Sequence, residues 1–339
     1  MAGETAQVLI GGGWRDSAAA TTFRAFDPAS GEAIGDAFPV SPAAELDAAL
    51  HAAVAAAAAL AATAPETIAG FLEAYAAGIE AQADELVALA HLETALAVTQ
   101  PVIDTAAGLR SGLGPLGKPV LVLGPNNFPL AFNAIAGSDF ASAIAARNPV
   151  IAKGHPGHPG SSRALAQIAH RAACDAGLPE GSVQMLYHFD AQDGLVLAGD
   201  ARLGAIGFTG SRAAGLALKA AADRVGVPFF GELSAVNPVV ILPGALSERG
   251  AAAMAQEFVG SCLLGSGQFC TNPGLVIAPD GAAGDAFVAA AAELFSHAAP
   301  AVVFSEAVLA GLDHGVSTLR AAGAQVLAGT AQREAPGFR

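Results

Sequence analysis

Between residues 118 and 222, short apolar runs alternate with longer stretches whose apolar positions recur every three or four residues. The runs at 120–123, 149–153, 183–187 and 204–208 read as strands covered on both faces. Helical periods fill 132–146, 161–176, 191–199 and 211–222, with Gly177 and Pro179 closing the second. This strand–helix alternation predicts a parallel, doubly wound sheet with helices on both sides, a scaffold suited to a dinucleotide.

The flanks differ. Residues 8–10 and 26–31 read as short strand and turn. Ser41 is a natural N-cap with Pro42 at the first helical position, and helical patterns run from there to about residue 100, broken near Pro65. After Glu232 the rhythm shifts to strands at 238–243 and 274–278 around a helix at 248–264. The expected division is therefore 1–231 for an N-terminal segment with the dinucleotide-binding domain, and 232–339 for a second α/β domain.

Composition narrows the functional classes. The 339 residues carry a formal net charge of −14, with only 16 Lys and Arg. Such a surface repels nucleic acid, whose binding needs clustered basic side chains. Residues 48–65 lack any Asp, Glu, Lys or Arg, but they are mostly alanine and contain His51, so a packed helix is expected rather than a membrane span. Residues 1–12 show no secretory pattern, and Cys174, Cys262 and Cys270 form no disulfide framework, which makes a cytoplasmic setting the expectation.

Four segments invite chemistry. Residues 112–118 match G-x-G-x-x-G, yet they precede a strand and open no helix, so they read as loop. The segment from Phe208 through Gly210, Ser211 and Arg212 to Gly215 has the right context, following a strand and starting a helix whose free N–H groups suit a pyrophosphate. Cys270 lies in a glycine-flanked loop closed by a Pro-Gly turn, where backbone N–H groups can activate a thiol or hold an oxyanion. Cys262 and Cys174 read as small hydrophobes on helices. His155 and His158 flank a Pro-Gly turn with no acidic partner nearby, so no metal is expected.

In order along the chain stand Trp14, Gly-Pro-Asn-Asn-Phe-Pro-Leu at 124–130, a strand ending in Lys153, Gly-Phe-Thr-Gly-Ser at 207–211, Gly-Glu-Leu-Ser-Ala-Val-Asn-Pro at 231–238 and Gly-Gln-Phe-Cys at 267–270. This ordered set resembles the aldehyde dehydrogenase superfamily. Residues 153–160 and 268–274 are similar to its α-ketoglutarate semialdehyde (2,5-dioxovalerate) dehydrogenase branch. The resemblance implies an α/β fold of a Rossmann-type parallel-sheet domain plus a partial catalytic α/β domain.

It also implies roles. Cys270 would attack the aldehyde, Asn127 would donate to the oxyanion, and Glu232 would activate water to hydrolyse the thioester, which argues against a CoA-acylating relative. Lys153 would hold the adenosine ribose. No Asp or Glu follows it in the loop; His155, Ser161, Ser162 and Arg212 do lie near in sequence or motif, so NADP is expected, with NAD as the alternative. The expected partner is a small aldehyde, and the family implies a homo-oligomer. The family pattern is longer between Thr94 and Gly114 and continues past residue 339 with a Glu-x-Phe-Gly-Pro motif, so the resemblance implies an internally shortened, C-terminally truncated chain. The alternatives are an inactive fragment that only binds nucleotide or a partner chain, and a different cysteine acyl-transfer enzyme.

Overall fold

A computed structural model describes residues 5–96, 114–329 and 337–338. Two compact units are present: the first holds residues 5–26, 33–94 and 114–233, the second residues 27–32, 95–96, 234–329 and 337–338.

The first unit is built on a seven-stranded sheet. Its strands, in chain order, are β1 (Val8–Ile10), β2 (Gly13–Arg15), β5 (Val120–Leu123), β6 (Val150–Lys153), β7 (Val183–Leu186), β8 (Ala205–Gly210) and β9 (Phe229–Leu233); β3 (Thr22–Phe26) and β4 (Ala33–Pro39) pair separately. The spatial order is β2-β1-β7-β6-β5-β8-β9, with five parallel strands from β7 to β9 and β1 antiparallel to β7. The chain winds outward from β5 to one side and then crosses to the other, so β5 and β8 flank a topological switch point, where such sheets bind ligands at their carboxyl ends.

The helices are α1 (Ala43–Ala62), α2 (Pro65–Ala81), α3 (Ala83–Thr94), α4 (Ser138–Ala145), α5 (Pro159–Asp175), α6 (Ala191–Ala198) and α7 (Arg212–Asp223). α2, α3, α4 and α5 pack as one layer, α1, α6 and α7 as another. By length and composition α1 could cross a membrane. Here its Leu46, Ala49, Leu50, Ala53, Ala56, Ala57 and Leu60 face is buried in the core, which accounts for its apolarity.

Several expectations need correction. Ser41 does not cap α1: Pro42 is the N-cap residue, Ser41 N–H bonds to His188 O at 2.7 Å, and the serine hydroxyl is buried away from the helix end. The predicted helix at 132–146 shrinks to α4, because Asn133 takes the local backbone bonds. Its amide donates to Pro129 O at 2.8 Å and its oxygen accepts from Ile135 N–H at 3.2 Å, which competes with helix. The strand expected at 8–10 is present as β1, whereas β9 gave no clear apolar alternation and was missed. Of residues 112–118, Gly112 and Leu113 lie outside the described residues; from Gly114 the segment is loop leading into β5, as expected.

The second unit pairs β10 (Pro238–Val240) in parallel with β11 (Leu275–Ile277). α8 (Pro243–Arg249), α9 (Ala251–Leu263), α10 (Ala282–His297) and α11 (Glu306–Ala321) complete it. The predicted helix at 248–264 is two helices, because Gly250 takes φ 81° between them. Ile241, Leu246, Ala255, Val259, Phe287 and Ala291 form its core, with Val239 and Val276 packed against them. Val240, Leu275 and Ile277 point the other way and are exposed, and no residue of α11 is buried.

Candidate active site

Four loops meet at the carboxyl ends of the first unit's parallel strands. β6 ends in Lys153, whose amine lies 5.8 Å from the centre of the Phe189 ring. Desolvation brings its pKa down to about 8. The next loop carries His155 and His158, with ring centres 5.4 Å apart. The Gly157 N–H donates to His155 Nδ1 at 3.0 Å, so the neutral ring carries its proton on Nε2. Burial, then the charge of Lys153 and the neighbouring His158 and His188, keep His155 well below the usual histidine pKa.

His158 is fully enclosed. Its Nε2 lies 2.9 Å from Pro125 O, a pure acceptor, so Nε2 carries the proton, and Nδ1 faces Ser162 Oγ at 3.3 Å. Burial lowers its pKa to about 4, and the imidazole stays neutral. It therefore ties the loop after β5 to the start of α5.

The serines of that start face inward. Ser162 is 1 % exposed, its hydroxyl donating to His158 O at 3.1 Å and accepting from the Asn133 amide at 3.1 Å. Ser161 is also buried and donates to Glu93 at 2.6 Å. Neither presents a hydroxyl to the crevice, which corrects the expectation that Ser162 binds the cofactor: it braces the loop instead. Glu93 was missed by sequence reasoning. Its carboxylate, arriving from α3, also accepts from the N–H groups of Gly160 and Ser161 at 2.7 and 2.9 Å, doing for α5 what an N-cap does.

On the other side of the switch point, β8 ends at Gly210 and α7 begins. Ser211 is the N-cap of α7, its hydroxyl accepting from Ala214 N–H at 3.3 Å, and Arg212 is exposed at the first helical position. Gly215 is packed so closely that a Cβ there would fall 2.3 Å from Leu233 Cδ2, so the glycine lets α7 sit on the sheet. Glu232 lies on β9, opposite Thr209 of β8. Asn127 lies half-buried in the loop after β5. The first unit thus gathers Lys153, His155, Gly210, Ser211, Arg212, Glu232 and Asn127 along one edge of its sheet.

In the second unit, Cys270 is exposed in the loop between α9 and β11. The loop is held from several directions. Asn237 donates to Cys270 O at 2.6 Å and to Asn272 O at 3.0 Å; Asn272 donates to Cys262 O and Leu264 O. Gln268 accepts from Phe304 N–H at 2.9 Å. Gly265, Ser266 and Gly267 take φ of 56°, 59° and 74°, a left-handed run that turns the chain out of α9. Cys262 is half-buried, and desolvation raises its thiol pKa. Cys174 is not the small hydrophobe expected: it is exposed at the end of α5, with its sulfur 3.5 Å from His170 Nε2.

The first unit presents a doubly wound sheet with a carboxylate-free loop after β6 and a capped helix at the switch point; the second presents a braced, exposed cysteine. The sequence pattern described as "Aldehyde dehydrogenase family" matches residues 14–111 and 102–337, and the chain belongs to that family. It is 36% identical to alpha-ketoglutaric semialdehyde dehydrogenase 2 of Azospirillum brasilense over 90% of this chain, and 37% identical to alpha-ketoglutaric semialdehyde dehydrogenase of Acinetobacter baylyi over 68%. The chain spans 64% and 43% of those relatives' own lengths. Its fold matches the crystal structure of succinate-semialdehyde dehydrogenase from Burkholderia pseudomallei with a TM-score of 0.80 at 24% identity, covering 98% of this chain and 74% of that one.

Proposed function

We propose that the chain oxidises α-ketoglutarate semialdehyde to its carboxylate through a thioester on Cys270, with NADP as hydride acceptor. The observation that carries this reading is the Cys270 loop, whose hydrogen bonds and left-handed turn hold the backbone while the cysteine stays exposed. The substrate is suggested by the two semialdehyde dehydrogenase relatives.

The donor set of the first unit fits a phosphorylated dinucleotide. No carboxylate lies in residues 154–160 to take a ribose 2′-hydroxyl, whereas Lys153 supplies a cation and His155 an N–H to a 2′-phosphate. Arg212 and the N–H groups at the start of α7 suit the pyrophosphate. When bound, NADP supplies hydride acceptance.

The protein's own residues do the rest. The Cys270 thiolate attacks the carbonyl carbon, and the oxyanion that forms accepts hydrogen bonds from the Asn127 amide and the Cys270 N–H, an interaction worth about 3–4 kcal/mol per donor in such sites. Loss of hydride from that carbon leaves the thioester. Glu232 then takes a proton from water as its oxygen attacks the acyl carbon. The carbon–sulfur bond breaks, the acid leaves and the thiolate is restored. The three free thiols of the chain suit a reducing, cytoplasmic compartment.

Reduced-cofactor absorbance with purified chain, α-ketoglutarate semialdehyde and NADP tests the reading, with NAD and a Cys270→Ala variant alongside. Turnover with NADP that disappears in the variant is the expected result. A second reading, a chain that binds nucleotide without turnover, draws on the partial span of the relatives' length. NADP binding by folded protein with no turnover selects it.

A further inference from the structure

The loop after β5 carries Asn127 at its centre and a buried proline on either side, Pro125 and Pro129. The rings restrict the backbone at both, and both carbonyls are taken by buried side chains. His158 Nε2 donates to Pro125 O at 2.9 Å, and the Asn133 amide donates to Pro129 O at 2.8 Å. The two donors meet at one atom. Ser162 Oγ lies 3.3 Å from His158 Nδ1 and accepts from the Asn133 amide at 3.1 Å. With Nε2 protonated, Nδ1 is an acceptor, so the Ser162 proton is shared between Nδ1 and His158 O, 3.1 Å away. The Asn133 side-chain oxygen accepts from Ile135 N–H at 3.2 Å, so every polar atom of the three side chains is used. His158, Ser162 and Asn133 are all buried. Next to Asn127, the Asn126 amide lies where a Cβ on Gly157 would fall, so the loop that carries His158 also packs directly on this one.

We propose that His158, Ser162 and Asn133 are positioning residues that clamp the 125–129 segment at both ends and so fix the Asn127 amide. A fully satisfied buried network rigidifies what it holds, and removing one member leaves a buried group without its partner. An oxyanion donor is effective only when it is already aimed, and a misplacement of about 1 Å costs about 10²-fold in rate. His158 also packs on His155, with ring centres 5.4 Å apart, so the nucleotide loop and the oxyanion loop are held as one body. The effect on the reaction rests on the proposed thioester function; the clamp itself does not.

The test follows the Asn127 side-chain amide by nitrogen-15 NMR in the full chain with labelled asparagine, its signal assigned by its loss in Asn127→Ala. His158→Phe keeps a ring but cannot donate to Pro125 O, and the Asn127 signal is expected to shift or broaden. His158→Gln, which keeps a donor at the reach of Nε2, should return it. The Asn148 amide, bonded outside the network, should stay in place in both. Ser162→Ala removes one hydroxyl and no bulk, and gives the same reading should His158→Phe not fold. An Asn127 signal that stays in place, or one that moves only together with Asn148, overturns the clamp. In a chain that turns over, His158→Phe should lower kcat about tenfold with little change in KM. It should cost nothing further in Asn127→Ala, because the clamp acts through Asn127; costs that multiply overturn the positioning role. The two failures separate cleanly. A clamp seen by NMR in a chain without turnover removes the dehydrogenase reading and leaves the clamp, whereas turnover with an unmoved signal does the reverse.

Discussion

Replacing Glu93 by Gln should unfasten the start of α5. Three donors converge on this carboxylate, two backbone N–H groups and the Ser161 hydroxyl, all within 2.9 Å, at a residue 3 % exposed. The amide keeps the shape but offers one acceptor and one donor group, so one N–H of the first turn meets another donor. An unsatisfied buried donor costs about 1–3 kcal/mol, and the remaining bonds lose their charge assistance. Against this stands the relief of the desolvation that raises Glu93 above its ordinary pKa. A net loss of about 2 kcal/mol follows, which for a unit of this size is a fall in Tm of roughly 4–8 °C at pH 7. The pH dependence has a definite sign. Because the folded value is raised, the carboxyl's contribution is complete below its unfolded pKa and declines as pH rises through the folded one. The gap between wild type and variant should therefore be wider at pH 5 than at pH 8. Thermal melts followed by circular dichroism read both effects. A Tm unchanged within about 1 °C would refute the capping argument.

Three further outcomes are expected. Lys153 deprotonates near pH 8, so the NADP Kd should rise above that pH, approaching tenfold per unit, and Lys153→Met should flatten the profile; isothermal titration from pH 7 to 9.5 checks it. Asn237→Ala removes two of the hydrogen bonds that hold the Cys270 loop and should lower kcat by at least about tenfold with a smaller change in KM, read in steady-state assays. Gly207→Ala should crowd the Asp139 carboxyl, 2.7 Å from where the new Cβ falls, and lower the Tm, read by circular dichroism.

The parallel sheet was legible because its strands are covered on both faces and read as unbroken apolar runs, and the glycine and cap at Gly210 and Ser211 punctuated the turn that matters. The edge strand β9 carries no such signal, since its pairing is decided by a distant partner. Ser162 shows the limit of motif reading: a serine in a cofactor loop reads the same whether its hydroxyl points outward or, as here, into Asn133 and His158. Glu93 was invisible for a related reason. Its importance comes from sequence-distant neighbours, Gly160 and Ser161. The cysteine loop was found from its glycines, whereas its bracing by Asn237, 33 residues away, came only from the structure.

The most direct measurement is mass spectrometry of acid-quenched Glu232→Gln chain after mixing with NADP and α-ketoglutarate semialdehyde. The account predicts an acyl group accumulating on the peptide that contains Cys270, with one reduced cofactor formed per chain and slow release thereafter. An unmodified Cys270 in chain shown to be folded and NADP-bound would contradict it.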